Sequence, residues 1–271
     1  MLSGDAREGF NGGAEYVRWV GGPDDLAEPM AFFGAHCDRV RIMPFLEGIP
    51  CSIHGFVFPD ITVALRPCEL MTLRRPGRRL KYCGAASYWD PPDADRETMR
   101  RVAVLVGEHL RRRVDYRGAF TVDGVLTEDG FLPTELNTRA GAAVGTLLSG
   151  LPGFALGAVN RALIEREPLD YRPDEFERLI VETADAQRGG GGWTVVDRAT
   201  DDNESVLLTA DDGGALTVAG DEEEEGVAEL RAGGTGGIRS VRSRSRIDAG
   251  WTLSGALRRV GICTGRFDLG S

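Results

Sequence analysis

GAFTVDGVLTEDGFLPTELNTRAG, residues 118–141, is the stretch on which the fold turns. GAFTVDGVL and FLPTELN read as two strands, and Glu128-Asp129-Gly130 between them reads as a three-residue hairpin loop with glycine at the left-handed position. If Thr127 pairs with Phe131 across that loop, Asp123 falls directly opposite Glu135, and the side-chain period of two puts Asn137 on the same face. Directly opposed side chains stand about 4.5–5.5 Å apart at their β-carbons, where like charges repel. A protein tolerates such a pair by protonating one carboxylate or by placing a cation between them. The added amide oxygen of Asn137 favours a hard, oxygen-liganded ion, Mg²⁺ or Mn²⁺. An outward strand face with solvated polar residues would show the same letters, so the hairpin alone leaves both readings open.

The whole stretch resembles the metal-binding hairpin of the ATP-grasp superfamily, in which an acidic residue on one strand and an E-x-N on the next hold the magnesium ions bridging the phosphates of ATP. The resemblance implies Asp123, Glu135 and Asn137 as metal ligands. It also implies that Arg139, in E-x-N-x-R, stands beside the transferring phosphate or a substrate carboxylate. Upstream, RIMPFLEG is similar to the superfamily's adenine hinge, which would place the carbonyl of Pro44 and the amide of Leu46 against the base, with Glu47 as the ribose candidate by proximity. Lys81-Tyr82 looks like the Lys-Tyr pair of D-alanine–D-alanine ligases, where the lysine touches phosphate. Lys81 is the chain's single lysine among 32 basic residues, and a mobile point charge suits a moving phosphoryl group. EGFNGG, with Gly9, Gly12 and Gly13, resembles the loop that closes over the phosphates, since backbone N–H groups approach phosphate only where side chains are absent.

The resemblance covers roughly residues 1–185 and departs from the superfamily in places. The opening Met1-Leu2-Ser3 is expected to leave no room for a preceding domain or for the lysine-bearing strand that members place before the glycine loop. Met43 replaces the usual acidic hinge side chain, and Thr121 stands where the D-alanine ligases carry an arginine. Two functions of different class follow as expectations. One is an ATP-dependent ligase that activates a carboxylate as an acyl-phosphate for attack by an amine or other nucleophile. The other is a truncated or degenerate module that binds nucleotide or a partner without turnover. A carboxylase-like use of bicarbonate would rest on Arg139 alone.

Outside the hairpin, acidic Asp24 and Asp25 open a helix through Phe33, and RVRIMPFLEG, CSIHGFVF, TVALRP, ELMTLRR and LKYCG read as strands. Met99, Val102, Ala103, Val106 and Leu110 recur at helical steps over 93–113, where Asp93 or Asp95 can cap. A further helix is expected near 153–166. Composition shifts at RGGGG (188–192), ahead of the acidic run 221–225 and AGGTGG. The expected fold is α+β, with the ATP-grasp architecture of two α/β subdomains and mainly antiparallel sheets. Residues 1–83 would form the lid and hinge subdomain, 84–185 the metal-binding subdomain, and 186–271 a β-rich or partly disordered appendage.

A net charge of −10 argues against nucleic-acid binding and against an anionic membrane surface. Five cysteines with no CxxC spacing give neither a zinc site nor a disulfide framework. With no secretory leader and no apolar span, a cytoplasmic protein is expected. Its partners would be small-molecule carboxylate and amine substrates, with a homodimer left open.

Overall fold

The computed structural model describes residues 1–6, 14–75, 78–87, 89–148, 150–188 and 190–195, together with four later strands. The first layer is a small sheet. Strand β1 (Leu2–Ala6) lies between β2 (Val17–Arg18) and β3 (Cys37–Ile42), antiparallel to both, and helix α1 (Ala27–His36) packs on one face. Leu2, Phe33 and Cys37 form its core. A strand therefore does precede the glycine segment, contrary to the expectation that the opening leaves no room for one. LSGDA is a weak strand former, but pairing on both sides and burial of Leu2 override its propensity. It carries no lysine.

The main sheet contains β4 (Ile49–Val57), β5 (Thr62–Ala64), β6 (Cys68–Arg75), β7 (Arg79–Ala86), β8 (Gly118–Thr127) and β9 (Gly130–Asn137). From β7 to the edge its order is β7-β6-β4-β8-β9, with β5 beside β4, and every pair is antiparallel. β2 touches β7 through Arg18 and Arg79, joining the small sheet to the main one. The expected boundary at 83/84 falls inside β7.

Strand alternation divides the buried residues between two faces. Ile53, Val57, Phe120, Val122 and Leu126 pack with Met99 and Ala103 of α2 (Asp93–Val114). Phe56 and Ala119 pack on the other face against α3 (Val144–Leu147), α4 (Leu156–Glu165) and α5 (Pro173–Ala186). The long helix stands where its periodicity predicts it. Its N-cap is Pro92, however, so Asp93 and Asp95 lie inside the first turn, where their charges interact favourably with the positive end of the helix dipole. The sequence reading leaves 167–185 without an element. There α5 buries Ile180 and Ala184 and packs the ring of Phe176 edge-on to Phe56 and Phe58.

In the C-terminal region, β10 (Gly190–Val195) pairs with β7 and extends the sheet through β14 (Ile238–Ser243), β13 (Ala228–Ala232), β11 (Glu204–Ala210) and β12 (Leu216–Val218). No helix among the described residues is long and apolar enough to cross a membrane.

Candidate functional site

The edge hairpin brings the acidic residues together, by a route the sequence does not reveal. Thr127 pairs with Gly130, not Phe131, so the loop is only Glu128-Asp129, one residue shorter than expected. Gly130 takes φ +107°, a conformation that favours glycine, and the Thr127 hydroxyl bonds across the turn to the Gly130 carbonyl at 3.0 Å. That shorter loop would set Asp123 against Thr134. A bulge after Pro133 inserts the missing residue, because proline supplies no ladder donor and interrupts the pairing on this edge strand. Asp123 then faces Glu135, and Thr121 faces Asn137.

Two rows of polar side chains follow from these registers, running inward across β9, β8 and β4. Glu135, Asp123 and Ser52 form one, and Asn137, Thr121 and His54 form the next. By alternation both lie on the face of Phe56 and Ala119, away from α2. Burial deepens along each row. Glu135 is exposed, Asp123 is half-buried and Ser52 is 1% exposed; Asn137 is half-buried, while Thr121 and His54 are 2% and 1% exposed.

The Asn137 amide donates to Asp123 Oδ2 at 3.0 Å, and the Ser52 hydroxyl lies beside that carboxylate and favours its charged form. Burial nevertheless pushes the Asp123 carboxyl above its usual range. The Ser52 hydroxyl works against that shift, facing Glu135 adds to it, and Arg139 and Asn137 oppose it more weakly. A facing carboxylate pair of this kind is eased either by protonating one partner or by a cation between them. The donor set fits magnesium: two carboxylates, plus an amide whose nitrogen is committed to Asp123 and whose oxygen is left to a hard ion. Among the described residues, no group of three or more His, Cys, Asp or Glu is placed to hold a metal, so the third oxygen of this set would be the Asn137 amide.

The other expected residues are placed unequally. Pro44, Leu46 and Glu47 lie in the link from β3 to β4, between the small sheet and the main one. The Pro44 carbonyl and Leu46 amide make no backbone hydrogen bond to another described residue. Arg139 is exposed just beyond β9 and close enough to lower the Asp123 pKa. Lys81 lies on β7 opposite Leu73, but its side chain is outside the described set, as are Gly9, Gly12 and Gly13. Sequence reasoning missed Ser52 and His54, because only the pairing of β4 with β8, some seventy positions along the chain, brings them to the hairpin. Alternation within CSIHGFVF was the sole local signal.

No protein-family model and no curated protein matches the sequence. Solved structures do match the fold. N5-carboxyaminoimidazole synthase from Aspergillus clavatus, in complex with ADP and 5-aminoimidazole ribonucleotide, superposes with a TM-score of 0.53 at 12% identity, over 99% of this chain and 61% of the other. Carboxyaminoimidazole ribonucleotide synthase from the same organism, complexed with ATP, gives 0.50 at 12% identity over 92% and 58%. An ADP complex of N5-carboxyaminoimidazole ribonucleotide synthetase gives 0.52 at 12% identity over 99% and 61%. The chain thus spans about three-fifths of the length of these structures. They are ATP-grasp proteins, and the chain has the ATP-grasp fold, as its hairpin resemblance implied.

Proposed function

We propose that this protein is an ATP- and magnesium-dependent ligase that activates a carboxylate as an acyl-phosphate for attack by an amine or other nucleophile. The observation that carries the reading is the facing pair Asp123 and Glu135, with Asn137 bonded to Asp123, on the edge hairpin of an ATP-grasp fold. Those three residues would hold Mg²⁺ or Mn²⁺, which supplies positive charge to the phosphates of ATP. The backbone of Pro44 and Leu46 would hold adenine, with Glu47 near the ribose and Gly9, Gly12 and Gly13 over the phosphates. Arg139 and Lys81 would stabilise charge on the phosphoryl group in flight. The substrate carboxylate oxygen bonds to the terminal phosphorus as the bond to ADP breaks. The nucleophile then bonds to the acyl carbon, loses a proton and expels phosphate.

Calorimetry with ATP, with and without Mg²⁺, tests the binding half. A panel of carboxylates and amines screened for ADP release tests the chemistry. We expect Mg²⁺-dependent ATP binding, and ADP release only when both substrates are present. ATP binding indifferent to Mg²⁺ would overturn the reading. The absence of lysine from β1 favours a second reading, a module that binds nucleotide without turnover. That reading is supported if Mg·ATP binds and no carboxylate in the panel elicits ADP.

A further inference from the structure

The inner ends of the two polar rows belong to no proposed ligand contact, and the second row has an internal logic of its own. His54 Nδ1 lies 2.8 Å from Thr121 Oγ1, and Thr121 Oγ1 donates to the backbone carbonyl of Arg139 at 3.2 Å. A hydroxyl has one proton. Because it is spent on the carbonyl, His54 must donate to Thr121 from Nδ1, which fixes the neutral Nδ1–H tautomer. His54 Nε2 is then a bare acceptor, buried without a partner among the described residues. Burial also pushes the imidazole pKa down to about 4, so the ring stays neutral. Leaving a buried acceptor unpaired is costly, and an apolar residue at this position would avoid it.

Gly141 shows what the arrangement holds. A β-carbon there would stand 2.5 Å from His54 Cε1 and 2.7 Å from Thr121 Oγ1. The backbone after β9 is therefore drawn down onto these two side chains, and Arg139 sits on that same turn. Among the described residues its own side chain bonds only to the Ala140 carbonyl, at 3.4 Å, so the guanidinium gains little placement from these local contacts.

We infer that His54 and Thr121 are positioning residues: through the Arg139 carbonyl they anchor the turn that aims the Arg139 guanidinium at the Asp123–Glu135 site. This rests on the proposed reading that Arg139 acts on bound nucleotide or substrate. It adds that Arg139 is placed from beneath, by the sheet.

A double-mutant cycle on Mg·ATP affinity, read by calorimetry, tests it. Arg139→Ala should weaken binding about tenfold, as loss of one charge-assisted contact does. Thr121→Val and Gly141→Ala should approach that loss, Thr121→Ser should restore parental affinity, and His54→Asn, which keeps a donor near the Nδ1 position, should lose less than His54→Gln. Thr121→Val added to Arg139→Ala should cost nothing further, because the positioned group is already gone. If Thr121→Val retains its full effect in the Arg139→Ala background, or has none while Arg139→Ala does, the inference is overturned. Should Thr121→Val fail to fold, the Gly141→Ala arm of the cycle decides by the same criteria. If Arg139→Ala itself changes nothing, the inference falls. Asp123→Asn, measured alongside, then shows whether the metal-site reading survives, by whether Mg²⁺ still strengthens ATP binding.

Discussion

Asp123 stands between an exposed carboxylate and a buried hydroxyl, and its ionisation decides how the metal-free site affects stability. Its pKa is raised in the folded state, chiefly by burial, so the native protein binds the proton more readily than the unfolded chain does. Linkage then runs opposite to the usual carboxylate case. The contribution of Asp123 to stability is present below its unfolded pKa and is lost as pH rises through its folded one. At neutral pH the charged side chain is a cost, and Asp123→Asn removes it. In thermal-shift measurements without metal, that variant should melt at the parental temperature or up to about 4 °C above it, the equivalent of roughly 1 kcal/mol. Its melting temperature should also respond less to mild acidification than the parent's. The stabilisation that Mg·ATP gives the parent should disappear. An undiminished response to Mg·ATP would mean that Asp123 is not a ligand.

At the scale of the hairpin, the facing pair was legible because alternation can be counted outward from a turn, yet the counting passes through two compensating irregularities. The loop is a residue shorter than it reads, and the bulge at Pro133-Thr134 restores the register. Gly130 signals a turn without stating its length, and Pro133 signals interrupted pairing without stating where the extra residue goes. Ser52 and His54 were missed for a different reason: alternation within CSIHGFVF puts them on one face, but nothing local says that this face meets the hairpin through the β4–β8 pairing. The same geometry predicts the outcome of two deletions. Removing Thr134 heals the bulge and leaves Asp123 opposite Glu135, so Mg²⁺-dependent ATP binding should persist within about threefold. Removing Leu136 turns Asn137 to the α2 face, and Mg·ATP affinity should fall at least as far as in Asn137→Ala. Calorimetry on the two deletions separates them. Equal losses would show that the ligands do not depend on the face they occupy.

The molecule as a whole is tied together at a second polar centre. Arg66, following β5, has no exposed side-chain surface. Its guanidinium donates to Asp185 at 2.7 Å, to Asp90 at 3.0 Å, and to the Trp89 and Pro67 carbonyls at 2.9 Å each. Asp185 belongs to α5 and is also held by Arg96 of α2 at 2.9 Å and by Arg188 at 3.0 Å, so the network links helices on opposite faces of the sheet. Burial alone would raise the Asp185 pKa, but bonds from Arg96 and Arg66 outweigh it and hold the carboxyl below its usual range. Its stabilising contribution is therefore present above the unfolded pKa and lost as pH falls through the folded one. None of this is legible beforehand: Arg66 and Asp185 lie 119 positions apart, and one arginine among many carries no mark of burial. Removing one partner from a buried ion pair costs about 3–5 kcal/mol. Here Arg96 and Arg188 still shield the two aspartates, so Arg66→Met should cost about 3 kcal/mol and lower the melting temperature by roughly 6–12 °C. Arg66→Lys should recover less than half of that, because one ammonium cannot span four acceptors held by a planar fork. Neither change touches the hairpin, so Mg·ATP affinity below the melting transition should match the parent's. A melting temperature for Arg66→Met within about 2 °C of the parent's would show that the two aspartates rearrange onto Arg96 and Arg188 without loss, and that Arg66 does not tie α2 to α5.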